Sequence, residues 1–577
     1  MAAPTGASAD RLDSWKEIAA YLGREVRTVQ GWEKTEGLPV HRHQHARLGS
    51  VYAFKSELDQ WRAARRPVPE PSPEQPTAEA GAIPPEPTRA GRRWTVPALA
   101  ALCVAALLGT SLVLWTKSPA APAGGIPTSV VVLPFLDLSP QKDQEYFSDG
   151  LTEEIIDALT RVPNLRVVAR TSAFAFKGRA VDIRKIGEQL NVAAVLEGSV
   201  RKAGDQLRIT AQLARVSDGY HLWSHTYDRS LRDIFAVQRE ISQAITDQLR
   251  AGEVPRHEQP HDIEAWRLYQ EGRYFFNQFQ TPESERKAIE RYQAAIARDP
   301  NFAQAYAGMA DAYAYLAEDF AVAPREVMPK AREAAEKALA LDDSSPEAHI
   351  SLGIVKLDYD RDREGGQREF VRAIQLNPGL GYARHWYAHS LEAQGKLEDA
   401  MVEMRKARDL DPLSVPISWD IASELLCARR NREALQHLEK AAELFPNVPE
   451  FAFMKVAAHQ QMGDTAAALR TIVAWRAAHQ ETAQDPMVQS MYAFGAILQG
   501  HPETARQTLA AFEQMRSRQY VDGFLPLYIC AALEDRRLEL AWIKRAVEDR
   551  SSMVVYLPLM APVYGFDAAL LKEGGAL

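Results

Sequence analysis

Hydrophobic residues near the start of the chain recur first at helical spacing and then in alternation. In LDSWKEIAAYLG, Trp15, Ile18 and Leu22 share one helical face, and Gly23 ends the helix. REVRTVQGWEKTEG continues as a second helix, LPVHRHQHARLGSVYAFK alternates like a two-stranded hairpin, and SELDQWRAARR reads as a third helix. Residues 11–66 are therefore predicted to form a small domain of helix, turn, helix, hairpin and closing helix.

A run without charged residues follows at 95–115, TVPALAALCVAALLGTSLVLW, after a Pro-rich linker at 67–94. About 20 apolar residues in a helix cross a bilayer, so this run is predicted to be one transmembrane helix. Cations are more numerous before it than after it: Arg89, Arg92 and Arg93 against Lys117. The positive-inside rule then predicts a single-pass protein of the bacterial inner membrane, with a cytoplasmic N-terminus and a periplasmic body.

Strand and helix patterns mix between residues 128 and 250. SVVVLPF is typical of a strand buried on both faces, and FSDGLTEEIIDALTRV is an amphipathic helix. The stretch from AAVLEG to SHTYD alternates as a meander of about three antiparallel strands. We therefore expect a mixed α/β domain.

Two groups of polar residues in this domain invite a functional interpretation. An acidic cluster suits the first turns of its helix, where carboxylates favour the helix dipole, and is interpreted as structural: Asp149, Glu153, Glu154 and Asp157. His221 and His225 flank Trp223 on an alternating strand and are predicted to be half-buried sheet residues rather than a ligand pair.

Helical segments from residue 262 onward repeat with a fixed period. Pro378, Pro412 and Pro446 are each 34 residues apart. Small residues keep constant offsets before the last two prolines: Ala388, Ala400, Ala407, Ala422, Ala434 and Ala441. Units of this kind bury their apolar faces only by stacking on their neighbours. The prediction is a superhelix of helix pairs over 262–450, followed by degenerate pairs over 451–550.

Composition and motifs argue against an enzyme. The 577 residues carry a formal net charge of −8, and the three cysteines, Cys103, Cys427 and Cys530, fit no disulfide framework and no zinc motif. The sequence has no GxxxxGK[ST] or GxGxxG loop to hold phosphates. We therefore predict no catalytic residue, no metal ligand and no cofactor.

The first domain differs in charge from the whole chain. Within 11–66, eleven Lys and Arg stand against seven Asp and Glu, a local balance of +4. A polar second helix fits the DNA major groove, and a basic hairpin can follow the phosphates. The predicted DNA-binding residues are Arg24, Arg27, Thr28, Gln30, Lys34, Arg42, His43 and Arg47.

Three histidines alternate in the hairpin, His41, His43 and His45, so on a strand they would share one face. A metal patch is the less favoured interpretation, because no Cys or acidic ligand accompanies them in the sequence, and phosphate contact by the hairpin is favoured.

Three segments resemble known families. WKEIAAYLGREVRTVQGWEKTEGLP, with the basic hairpin and SELDQW, resembles the winged helix-turn-helix heads of the MerR and excisionase families, which implies a recognition helix at 25–35 and a wing at 40–54. VVVLPFLDLS, EYFSDGLTEEIIDALTRV and DGYHLWSHTYDR resemble the TolB amino-terminal-like domain. The 34-residue period resembles tetratricopeptide (TPR) repeats.

The expected fold class is therefore multidomain: a small winged helix-turn-helix, one transmembrane helix, a mixed α/β domain, then an all-α TPR superhelix. The leading hypothesis is a membrane-tethered one-component transcriptional regulator. Its head would bind DNA in the cytoplasm, and its TolB-like and TPR body would sense a protein or peptide outside. A homodimer would match paired DNA half-sites.

The alternative is an envelope TPR scaffold whose head binds protein rather than DNA. An enzyme related to the cyclases that carry similar exported parts is disfavoured, because residues 1–94 hold only the head and a linker.

Overall fold

The computed structural model describes residues 11–12, 14–22, 24, 28–29, 32–33, 38–42, 51–63, 128–255, 262–279, 281–318, 322–483 and 485–577. The chain forms two compact units, Met1–Ser118 and Pro119–Leu577.

The first unit contains a small head built on a three-stranded antiparallel sheet. The sheet has the order β1-β3-β2, and its described elements are β1 (Arg11–Leu12), α1 (Trp15–Leu22), β2 (His41–Arg42), β3 (Val51–Phe54) and α2 (Lys55–Ala63). Residues 28–29 and 32–33 are also helical. The apolar positions that share one face of α1 are in contact with β3 and α2 and form a core of buried side chains: Ile18, Ala19, Leu22, Val29, Leu38, Ala53 and Leu58.

The predicted membrane topology requires a correction. An apolar run spans a bilayer only as a continuous helix that satisfies its own backbone hydrogen bonds. Among the described residues, no helix has both the length and the apolar character that a membrane crossing needs. This finding removes the transmembrane helix from the predicted fold class and overturns the predicted single-pass localisation in the inner membrane. The run at 95–115, from which both were predicted, lies outside the described residues.

The second unit begins with an α/β domain. Its mixed sheet has the order β6-β4-β7-β8-β9, with β5 also paired to β7. The strands are β4 (Ser129–Val132), β5 (Leu136–Asp137), β6 (Arg166–Val167), β7 (Ala194–Ala203), β8 (Gln206–Arg215) and β9 (His221–Ser230). The helices are α3 (Glu145–Thr160), α4 (Arg170–Phe174), α5 (Ile183–Leu190) and α6 (Ile234–Leu249).

The predicted three-stranded meander is confirmed, because β7, β8 and β9 pair antiparallel in sequence order. The predicted half-burial of two histidines is wrong: His221 and His225 are exposed on β9, the last strand in the sheet order, although Tyr227, which shares a face of the strand with His225, is buried. The likeness of this domain to TolB, and that of the head to MerR and excisionase proteins, stays a prediction.

Helix pairs make up nearly all of the remaining chain and form a TPR-like superhelix. Eight pairs are present in the described part: α7 (Ile263–Phe279) with α8 (Pro282–Arg298), α9 (Ala303–Glu318) with α10 (Pro324–Leu341), α11 (Pro346–Ile354) with α12 (Arg363–Leu376), α13 (Gly381–Glu392) with α14 (Leu397–Leu410), α15 (Val415–Cys427) with α16 (Asn431–Leu444), α17 (Pro449–Gln461) with α18 (Thr465–Ala478), α19 (Pro486–Leu498) with α20 (Pro502–Arg516), and α21 (Phe524–Ala532) with α22 (Arg536–Asp549). Helices α23 (Leu557–Tyr564) and α24 (Ala568–Glu573) follow.

The small residues predicted from the 34-residue period lie where the helices of a pair approach. Ala388, Ala400, Ala422 and Ala434 are fully buried. Close approach is also visible at Gly272, where an added Cβ would lie 2.5 Å from the ring of Tyr292 on the partner helix. The TPR part of the prediction is therefore confirmed, and the helices continue beyond residue 550.

The α/β domain rests on the loops that connect successive helix pairs. Asn377, in the loop after α12, donates from Nδ2 to Thr160 Oγ1 at the end of α3, at 3.1 Å. The backbone N–H and the hydroxyl of Ser172 both donate to Asp411 Oδ1, and the Leu413 N–H donates to the Ser172 hydroxyl at 2.8 Å. The loops between successive helix pairs therefore also hold the α/β domain in place.

The end of the chain folds back onto the middle of the superhelix. After α11 the backbone makes a π-helical turn over Val355–Tyr359. Tyr556 donates its hydroxyl hydrogen to Asp358 Oδ1 at 3.0 Å, and Arg550 donates to the Tyr359 carbonyl at 3.0 Å. Residues almost 200 positions apart are thus joined through side chains.

Replacing Ser172 with alanine is expected to destabilise the second unit by about 2–4 kcal/mol, because the buried Asp411 loses a donor and the Leu413 N–H loses its acceptor. The shift in the urea denaturation midpoint measures the effect. Ser344→Ala is the matched control, since the Ser344 hydroxyl donates to Asp342 in an exposed loop. Equal shifts for the two variants would contradict the conclusion that the hydrogen bonds of Ser172 attach the α/β domain to the repeats.

Candidate functional site

The predicted DNA-binding residues belong to the head, and the structure describes three of them. Arg24 is exposed after the end of α1, and Thr28 is exposed next to the buried Val29. Arg42 lies on β2 and is paired with Val51 of β3. The other five lie outside the described residues: Arg27, Gln30, Lys34, His43 and Arg47.

His41 fixes the hairpin to the closing helix. Its Nε2 lies 2.7 Å from Glu57 Oε2 of α2, and its ring stacks on Tyr52 of β3 with a centroid distance of 5.1 Å. Trp32 and Trp61 approach each other at 5.6 Å and connect the second helical segment to α2. Ring contacts and the His41–Glu57 pair therefore add to the hydrophobic core in attaching β2 and the segment around Thr28 to the rest of the head.

A second candidate site is a cavity of about 480 Å³ in the other unit, enclosed by the α/β domain and the first repeats. Helices α3 and α6 form one wall, and α7, α9 and the start of α11 form the other. Charged side chains of both signs line it: Glu154, Asp157, Arg161, Arg239, Arg273, Asp311 and Glu347. The cavity combines aromatic walls with charged groups, a mixture typical of ligand sites.

Glu153 forms an ion pair between α3 and α7, the helices on opposite sides of the cavity. Its carboxylate is 2% exposed and accepts from the Arg170 guanidinium of its own domain and from Arg273 of α7, the latter at 2.8 Å. Although burial alone would raise it, the two guanidinium groups hold the pKa of Glu153 below its ordinary value. Glu153 is therefore ionised and bridges the α/β domain and the first repeat.

The neighbouring carboxyl groups shift in the opposite direction. Burial raises the pKa of Glu154 to about 7, and its Oε1 accepts a hydrogen bond from Gln270 of α7 at 2.7 Å. Burial also raises the pKa of Asp311 on α9 to about 7 and that of Asp149 to about 6, the latter despite its contact with Lys177. The cavity region thus holds carboxyl groups that change charge near neutral pH.

The sequence prediction for the acidic cluster on α3 assigned it a local structural role. Besides the pair of Glu153 with Arg170 in the same domain, Glu153 and Glu154 make contacts across the domain boundary, with Arg273 and Gln270 of the first repeat. Both partners lie more than 100 residues away and were not predicted, and the signal that could have indicated them is the spacing of Gln270 and Arg273, three residues apart and so on one side of α7.

Comparisons with known proteins give partial likenesses. No protein-family model matches the chain. Putative adenylate cyclase 3 of Rhizobium meliloti is 37% identical over 261 residues, which are 42% of this chain and 44% of that protein. Transcriptional regulator HilA of Salmonella typhimurium is 24% identical over 303 residues, 51% of this chain and 53% of the regulator. Tetratricopeptide repeat protein 6 of Homo sapiens is 27% identical over 128 residues, 22% of this chain and 24% of that protein.

The chain therefore spans about half the length of the first curated relatives it matches. Among solved structures, the pilus biogenesis factor PilW is 17% identical with a TM-score of 0.32, over 37% of this chain and 94% of PilW. The TPR protein YrrB is 17% identical with a TM-score of 0.25, over 32% of this chain and 90% of YrrB.

Stability is expected to depend on pH through Glu154. Because its folded pKa, about 7, lies above the ordinary value of 4.5, folding takes up a proton between these values, and its contribution to stability is lost as pH rises from about 4.5 through 7. Glu154→Gln should therefore gain about 1–3 kcal/mol relative to the native chain between pH 5 and pH 8. Urea denaturation at the two pH values measures the difference.

Glu188→Gln serves as the control for this experiment, because Glu188 is an exposed carboxyl on α5. Parallel pH profiles for the native chain and Glu154→Gln would show that Glu154 takes up no proton on folding.

Proposed function

We propose that the chain is a transcriptional regulator whose head binds DNA and whose repeat body binds a protein or peptide. The observation that carries the proposal is the sheet of the head, in which the β2–β3 hairpin packs beside α1 and the helical segment around Thr28. A helix presented beside a short antiparallel hairpin is the arrangement with which winged helix-turn-helix domains approach the major groove and the backbone.

Charge and similarity support the same proposal. The local balance of +4 in 11–66 would attract phosphates, whereas the whole chain carries −8. Arg24 and Thr28 are exposed on this domain, so their side chains are accessible to a large partner. The relative from Salmonella typhimurium is named as a transcriptional regulator, at 24% identity.

The repeat body supports the second half of the proposal. TPR superhelices expose extended surfaces that usually bind a protein or a peptide. In this chain the loops after α12 and α14 contact the α/β domain, so a partner would bind the surfaces of the repeats that these contacts leave exposed. A homodimer, whose symmetry would match paired half-sites, is part of the same proposal.

A TPR scaffold whose head binds protein is an equally open candidate, because the repeats are the part of the architecture that the structure and a TPR relative both support. The Rhizobium meliloti relative carries the name of an adenylate cyclase, and that name describes the other protein, of which this chain covers 44%. The absence of an enzyme activity stays a prediction from the sequence.

DNA binding by the full chain should weaken steeply with salt, because each neutralised phosphate releases counterions. The double substitution Arg27→Ala and Arg42→Ala is expected to reduce affinity by about tenfold or more at low salt and to lower the salt slope by about 2. Fluorescence anisotropy with genomic DNA fragments, read between low and physiological salt, measures both quantities.

The double variant Arg506→Ala and Arg518→Ala is the matched control, since it removes two exposed cations from the region of α20 in the other unit. If the native chain binds no DNA fragment at any salt concentration, the regulator proposal fails and the scaffold becomes the better candidate.

A further inference from the structure

Within the part of the chain that the structure describes, three side chains in the middle of the superhelix bring potential metal ligands together. His385 and His389 lie one turn apart on α13, and Asp420 lies on α15 of the next repeat. The Nε2 atoms of the two histidines are 3.2 Å apart, and Asp420 Oδ2 lies 2.6 Å from His385 Nε2 and 3.4 Å from His389 Nε2. The three side chains are largely buried.

These distances fit a small divalent cation. Ligands of tetrahedral Zn²⁺ lie about 2.0–2.2 Å from the ion, which places them about 3.3 Å from one another. Two of the three separations have this length. A circle through the three atoms has a radius of about 1.8 Å, so a point about 1 Å off their plane lies about 2.1 Å from each atom, which is a zinc-ligand distance.

The hydrogen bond of His389 to a carboxylate involves only one of its two ring nitrogens. Its Nδ1 lies 2.9 Å from Glu392 Oε2 on the same helix. When Nδ1–H donates to that carboxylate, the Nε2 of the neutral ring carries a lone pair, and it is this atom that faces His385 and Asp420. A carboxylate behind a histidine that ligates a metal is the usual second support of such sites.

Carboxyl groups surround the two histidines. Glu424 lies one turn after Asp420 on α15, is 2% exposed, and its Oε1 has no hydrogen-bond partner in the described part of the chain. Its carboxyl also faces Glu392. Three carboxyl groups therefore lie around two imidazoles in a buried place, which gives a divalent cation oxygen and nitrogen donors on several sides.

We propose that His385, His389 and Asp420 form a Zn²⁺ site that joins α13 to α15, with Glu392 as the support of His389 and Glu424 as the nearest further oxygen donor. Two imidazoles and carboxylates are a donor set that suits Zn²⁺. The ring of Tyr556 meets His389 edge-on at 5.6 Å, so the site also lies under the returning C-terminal segment. Binding of the ion stabilises the contact between two adjacent repeats and the contact of the C-terminal segment around Tyr556 with the superhelix.

The test uses the full chain after removal of metal by a chelator. Co²⁺, which substitutes for Zn²⁺ and is visible, should bind at one equivalent per chain with the absorption of a tetrahedral complex, and Zn²⁺ should displace it. Zn²⁺ should also raise the Tm of the native chain. The double variant His385→Gln and His389→Gln should lose both effects, and Glu392→Gln should bind about 10–100-fold more weakly because only the support of His389 changes.

Two controls separate this site from other histidines. His437→Gln changes a ring on α16 that bonds to the Ser418 carbonyl at 2.9 Å, and it should bind as the native chain does. His43→Gln with His45→Gln removes two of the three alternating histidines of the head and leaves His41, which is paired with Glu57. Should the native chain bind no tetrahedral Co²⁺, or lose it only with His43 and His45, the proposal is overturned. The spectrum of the native chain and the Glu392→Gln variant decide the question even if the double variant fails to fold.

Discussion

The ionised carboxylate of Glu153 connects parts of the chain that are about 120 residues apart. It is buried between Arg170 of the α/β domain and Arg273 of the first repeat, so each guanidinium compensates a charge that water cannot reach. Removing one partner of such an arrangement costs about 3–5 kcal/mol, because the other charge stays buried. Helix α3 packs against the sheet and against α7, and buried side chains of the α/β domain and of the first repeats belong to one continuous hydrophobic core.

This mutual burial limits how the repeats can bind a partner. The loops that follow α12 and α14 contact Thr160 and Ser172, and the turn at 355–359 is covered by the segment around Tyr556. A peptide that entered the first repeats along α7 would have to displace α3 and leave Glu153 without Arg273. The exposed surfaces of the later repeats impose no such cost, so they are the more accessible part of the superhelix.

What the sequence could predict follows from the range of each interaction. The helix pairs were predictable because Pro378, Pro412 and Pro446 and the buried alanines repeat within one local unit. The β-meander was predictable from alternation alone. Partners such as Arg273 and Gln270 were not, because their role arises only when α7 packs on α3. The exposure of His225 depends on the place of β9 in the sheet order, which alternation does not encode.

The proposed metal site at His385, His389 and Asp420 also depends on contacts between residues that are distant in the sequence. The cysteine spacing fits no zinc motif and a metal patch was the less favoured interpretation of the hairpin histidines, so no metal ligand was predicted, although in HWYAH the residues His385 and His389 lie on one helical face. The third ligand is 31 residues further on, at a distance set by the stacking of α13 on α15. In a repeat protein, residues one period apart occupy equivalent positions in adjacent repeats and lie close together. Metal ligands can therefore be spaced by the repeat period as well as by a helical turn. Because Asp420 stands close to one such period from His385 and His389, the fold itself brings the donors together.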